Sequence, residues 1–192
     1  MQIVSDKNFK DITIDKENIF DIEFLDCVFE NCKFNECILV NCTFSECKFI
    51  DCSFVGLKTK NVSILFAEFI ECTIVGLNWA NLDSGSISFP IGKLKNCYLK
   101  YNEFEKMNFK KFDFEKSSIV DSNFVRCNLG ESNFNMCDLK NTHFAECDLR
   151  KADFREAKGY GINAFDNIIK GAKFSRAEVV SLLKYFDIII EN

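Results

Sequence analysis

One proline, one histidine and one tryptophan stand in the whole 192-residue sequence. No run approaches the ~20 apolar residues that cross a bilayer, so a membrane span is not expected. The opening Met1-Gln2-Ile3-Val4-Ser5-Asp6-Lys7 has no basic region followed by an apolar run, so no secretory signal is read there and a cytosolic, cytoplasmic location is expected. Motifs that carry chemistry are missing too: there is no glycine-rich phosphate loop, no HExxH and no GxSxG. The 11 cysteines include no C-x2-C pair, which does not suit a zinc site. His143 has no nucleophile placed beside it by a recognisable motif. The expectation is a non-enzymatic chain with no catalytic residue, no cofactor and no metal.

What is present is phenylalanine, 22 residues, and cysteine, 11, placed by one rule. From Phe9 to Phe154, 28 of the 30 positions whose numbers end in 4 or 9 hold Phe, Leu, Ile or Trp, and only Thr59 and Ser84 depart. All 11 cysteines fall on numbers ending in 2 or 7. The unit is small, polar, large apolar, polar, polar, as in Cys42-Thr43-Phe44-Ser45-Glu46. A period of five fits neither the 3.6 of a helix nor the 2.0 of a strand, and a fixed repeat overrides local propensity. A chain that turns a quarter circle per unit buries the pattern: four units close a square coil of about twenty residues, and coils stack by parallel pairing ~4.8 Å apart. In a reducing cytosol the cysteines then serve as small buried hydrophobes.

Residues twenty apart should stack. This gives the columns Phe104–Phe124–Phe144, Phe114–Phe134–Phe154–Phe174, Phe29–Phe49–Phe69–Phe89–Phe109 and Leu39–Thr59–Trp79–Leu99–Ile119–Leu139. The pattern is weakest over 57–112, where Leu57, Val62, Leu77, Leu82, Ile87, Met107 and Phe112 take the small site. The register resumes there without a frame shift, so any loop should be made within the count of five.

Charge is divided unevenly: residues 1–92 carry 7 Lys and Arg against 14 Asp and Glu, and residues 93–192 carry 17 against 15. Asp26–Glu46 and Asp51–Glu71 should stack like on like, as should Lys106–Arg126, whereas Lys111–Glu131–Lys151 alternates. The four acids form a candidate partner surface, since stability alone would not choose like-charge ladders. Residues 1–21 are read as an N-terminal cap, 22–174 as the repeat, and 175–192 as a C-terminal helix and tail. Ser175-Arg176-Ala177-Glu178 reads as a capping box, followed by Val179, Leu182, Leu183 and Phe186 at helical spacing. With Ile188 and Ile190 from the terminal isoleucine run, these are the candidate dimer interface, a larger lid than one coil needs.

The repeat resembles the pentapeptide-repeat family over about residues 22–174. The resemblance implies an all-β fold, a right-handed quadrilateral β-helix of about eight coils, here with a short C-terminal α-helix. Within the family, the segment Phe89 to Phe104 and the tail Lys170-Gly171-Ala172-Lys173-Phe174 are similar to the Qnr-type quinolone-resistance proteins. That resemblance implies a homodimer joined at the C-termini and a type II topoisomerase, DNA gyrase or topoisomerase IV, as partner through an acidic, DNA-like surface. Direct nucleic-acid binding is not expected. No residues in excess of the twenty-residue count, corresponding to the projecting loops of those relatives, are expected here. The alternative reading is a structural or scaffold repeat protein with another protein partner.

Overall fold

The computed structural model describes residues 1–83, 91–186, 188 and 189. Most strands are three or four residues long, because each is one side of a coil. Successive coils pair in parallel at a step of twenty: Gln2↔Ile22 on the first side, Phe9↔Phe29 on the second, Ile14↔Phe34 on the third and Ile19↔Leu39 on the fourth. The result is a four-sided parallel β-solenoid of about 8 turns with a short C-terminal helix. Residues 2–20, read as a cap, are laid down as the outermost coil in register with the next.

The interior is formed by the two inward positions. Phe44, Phe124 and Phe144 are buried, and rings twenty apart stack face to face while rings on neighbouring sides meet edge to face. Phe104–Phe124–Phe144 has centroid spacings of 4.5 and 5.0 Å, and Phe114–Phe134–Phe154–Phe174 has 4.7, 4.9 and 5.4 Å. Both arrangements suit the aromatic quadrupole.

The small inward site has a second task. Each cysteine thiol lies 2.9–3.5 Å from a carbonyl oxygen of the preceding coil, 23 residues back in all but one case. Cysteine here is both filler and weak donor to a carbonyl that faces the core. Towards the C-terminus the same bond is made by Thr142 to Ile119 at 2.7 Å and by Asn167 to Phe144 at 2.8 Å.

The corners explain how five residues turn through a side. All 26 non-glycine residues with positive φ, between 49° and 61°, sit at numbers ending in 1 or 6. Their N–H groups donate to the next coil, as Asp26 does to Ser45 and Asp51 to Ile70, both at 3.0 Å. Asp, Asn and Gly recur at these corners because a short polar side chain or none tolerates left-handed backbone.

Two expected columns are broken in the middle of the rod. Phe69 pairs with Leu94, Ile74 with Leu99, and Asn78 with Glu103, steps of 25 rather than twenty. The Cys97 thiol and the Asn102 amide accordingly reach carbonyls 28 residues back. One whole unit is therefore present in excess, and a bulge at Ala67/Glu68 marks the seam. The extra five residues keep the inward register, so the sequence pattern hides them. Trp79 stacks on Phe104, at 5.6 Å and 15°, instead of on Leu99. Phe109 bonds to Asn128 on the first side and does not continue the Phe69 column. Phe89, Ser84 and Ile87 lie outside the described residues.

The capping box does not form. Ser175 precedes a single α-helical turn, Arg176–Val179, but makes no side-chain cap; its hydroxyl accepts from the Glu156 N–H at 2.8 Å, and a Glu178 carboxylate oxygen accepts from the Gly159 N–H at 3.3 Å. The unpaired N–H groups on the last coil compete for these acceptors and win. Residues Val180–Phe186 continue as a 3-10 helix.

Candidate partner surface

Asp26 and Glu46 stand one above the other on the corner between the first and second sides, and Asp6 extends the row. Asp51 and Glu71 stand on the corner between the second and third sides, in one row with Asp11 and Asn31. All six acids are exposed. The four singled out in the sequence thus lie on two parallel ridges that border one side of the rod. That side carries Val28, Lys48 and Glu68 on one line and Lys10, Glu30, Ile50 and Ile70 on the other. Among the described residues none of the six acids is in an ion pair, while the strip between them holds Lys10–Glu30 at 2.9 Å. The hydrogen bond and charge of Glu30 raise the Lys10 ammonium above its ordinary value.

The other ladders form as spaced. Lys111–Glu131–Lys151 occupies the continuation of the first ridge, with Lys111 and Glu131 4.0 Å apart. Lys106 and Arg126 stack with like charge and share Glu105, at 3.2 and 3.1 Å.

At the C-terminal end, Leu182 is buried in the chain's own core, whereas Val179, Leu183, Phe186 and Ile188 are exposed. Ile190 lies outside the described residues. Ile189, at 90% exposed, and Phe165, stacked 4.7 Å from Phe186, enlarge this apolar end. Phe165 could not be found from the repeat, because it sits where the units decay.

The thiols are unsuited to chemistry. All 11 are buried. Burial pushes Cys47 and Cys137 up to about 12, and Cys72 is raised by hydrogen bonds to Cys52 and Cys97 and by burial. No group of three or more His, Cys, Asp or Glu suited to a metal ion occurs among the described residues. His143 is exposed on the fourth side.

The family model for the pentapeptide repeat region matches residues 22–109 and 103–182. No curated protein matches the sequence. Among solved structures, full-length QnrB1, a plasmid-mediated fluoroquinolone resistance protein, is 16% identical with a TM-score of 0.39, covering 97% of this chain and 100% of that one. HetL, a pentapeptide repeat protein involved in heterocyst differentiation regulation from the cyanobacterium Nostoc, is 11% identical with a TM-score of 0.25, covering 88% and 87%. Rfr23 from the cyanobacterium Cyanothece is 9% identical with a TM-score of 0.24, covering 92% and 90%.

Proposed function

We propose that this chain, which belongs to the pentapeptide-repeat family, is a non-enzymatic binding rod that engages bacterial type II topoisomerase, DNA gyrase or topoisomerase IV, through its acidic N-terminal coils. The observation that carries the reading is the pair of exposed acidic ridges bearing Asp26, Glu46, Asp51 and Glu71 without ion-pair partners. One carboxylate per coil, ~4.8 Å apart, is a charge spacing of the same order as the 3.4 Å between phosphates along one DNA strand. Two such rows beside a shallow strip offer a DNA-binding enzyme a surface of familiar sign and pitch. The Qnr-type character of the sequence from Phe89 to Phe104 and of the tail adds support. Protection of the enzyme from fluoroquinolones is part of the same proposal.

The exposed apolar end formed by Val179, Leu183, Phe186 and Ile188 supports a homodimer joined there, with an acidic arm on each side. Binding of this kind needs no ATP and no metal. It weakens with salt, because exposed charges are screened beyond ~8 Å at physiological ionic strength.

The test is a supercoiling assay with purified gyrase, with and without a fluoroquinolone, over a titration of this protein. Inhibition or protection that is lost in Asp26→Asn/Glu46→Gln/Asp51→Asn/Glu71→Gln supports the reading. No inhibition, no protection and no complex leaves a scaffold for another protein as the function.

A further inference from the structure

One side of the rod changes the sign of its charge halfway along. Over residues 1–66, the first side and its two bordering corners carry Asp6, Asp21, Glu23, Asp26 and Glu46 and no Lys or Arg. After the seam this side resumes at Asn108, Asn128, Asp148 and Ile168, each one unit beyond the fourth side. There the same strip and corners carry Lys110, Lys111, Arg150, Lys151 and Lys170, besides Lys106 and Arg126, against Glu131, Glu146, Asp148 and Asp166. Much of this charge is not neutralised at home. Among the described residues none of the five N-terminal acids is in an ion pair, and neither are Lys110, Lys151 and Lys170. Arg150 is held by Asp148 and Lys111 by Glu131.

A third feature lies on the same edge. The corner between the first and second sides runs Asp6, Asp26, Glu46, Phe66, and Phe66 is 50% exposed with a φ of +57°. A bulky side chain in left-handed backbone costs of order 1 kcal/mol, and an exposed ring recovers none of that within the chain. Buried aromatics inside a polar rim are the usual anchors of an interface.

We propose that this face is a self-association surface on which two copies of the chain lie side by side and antiparallel, the acidic half of each against the basic half of the other. A two-fold arrangement satisfies both halves at once, which a parallel one cannot. Asp26 lies in the second coil from one end and Lys151 in the second from the other, so the antiparallel pairing sets them opposite. Asp6 and Lys170 in the outermost coils match in the same way. The contact is separate from the apolar C-terminal end. It shares Asp26 and Glu46 with the topoisomerase reading and stands without it, and by covering them it limits how much acidic surface is free for any other partner.

The experiment is sedimentation velocity of the full chain at low salt and at about 1 M salt, where the screening length falls to ~3 Å. A species larger than the one present at high salt should appear at low salt. Asp26→Lys and Lys151→Asp should each raise its dissociation constant about tenfold, and the two together should restore it. Phe66→Ser should weaken it with its salt dependence unchanged. Leu183→Glu, at the other end, should leave the salt-dependent step in place. Sedimentation that is independent of salt, or a double swap no better than its single changes, overturns the proposal; neither outcome bears on gyrase binding, which the supercoiling assay reads separately.

Discussion

The coils before the seam and those after it obey one repeat and turn their corners differently. Before it, short strands on all four sides pass through a positive-φ residue. After it, the first and second sides fold as hydrogen-bonded turns, Phe112 N–H to Phe109, Ser117 to Phe114, Ser132 to Leu129 and Cys137 to Phe134, at 3.0–3.1 Å. The tighter turns close the walls. Phe114, Phe124, Phe134 and Phe154 are 0% exposed, whereas Phe34, Phe44 and Phe54 retain 5–7%. The earlier coils also contain a cavity of about 30 Å³, lined by Phe49, Phe54, Leu57, Thr59, Ile64 and Phe69 among others. One repeat can thus specify where side chains go while leaving open how tightly they pack.

The comparison is broken most directly by removing one ring from each half. Phe134→Ala should lower unfolding free energy by about 3–5 kcal/mol, and Phe54→Ala, in the looser wall, by measurably less. Equal losses in denaturant titrations would mean that the turns add nothing to packing. Next in size is Asn102→Leu at the seam. Asn102 accepts from the Trp79 indole at 2.9 Å and donates to Ile74 and Lys100, so its loss strands a buried N–H and should cost about 2–3 kcal/mol, read by denaturation and Trp79 fluorescence.

Smaller and opposite in sign, Thr59→Leu should stabilise the N-terminal coils by about 0.7 kcal/mol by filling the cavity. Acid should act mainly after the seam. The Arg150 and Arg155 guanidiniums hold the Asp148 and Asp153 carboxyls below their ordinary values. Their contribution is present above about pH 4 and is lost as pH falls through the lowered folded values. Asp148→Asn with Asp153→Asn should flatten the acid limb of a stability curve slightly, because the pairs are exposed.

The inward positions were legible because burial imposes a strict period, and Cys42 and Phe44 read as one unit without further help. The left-handed corners were also written in the sequence, as the Asp, Asn and Gly residues at Asp21, Asn31, Asn41, Gly56 and Asn61. Those positions passed for surface because polarity suits both. The extra unit could not be seen, since five residues preserve the inward register and only the partners of Phe69 and Trp79 reveal it. The acidic rows followed from spacing, but that they border a single side needed the corner geometry. Ser175 and Glu178 had the form of a cap, and nothing local foretold that the edge N–H groups of Glu156 and Gly159 would take them.

The step of 25 at the seam separates chain length from core design. Each half keeps its own count of twenty, and the two need agree only across Phe69–Leu94, Ile74–Leu99 and Asn78–Glu103. Gain or loss of residues between Asp83 and Ile91 therefore leaves every ring on its neighbour, provided the coil still closes. A change of any length other than five elsewhere would turn each later phenylalanine towards water. The rod thus has one place where lineages can diverge in length without rewriting the interior.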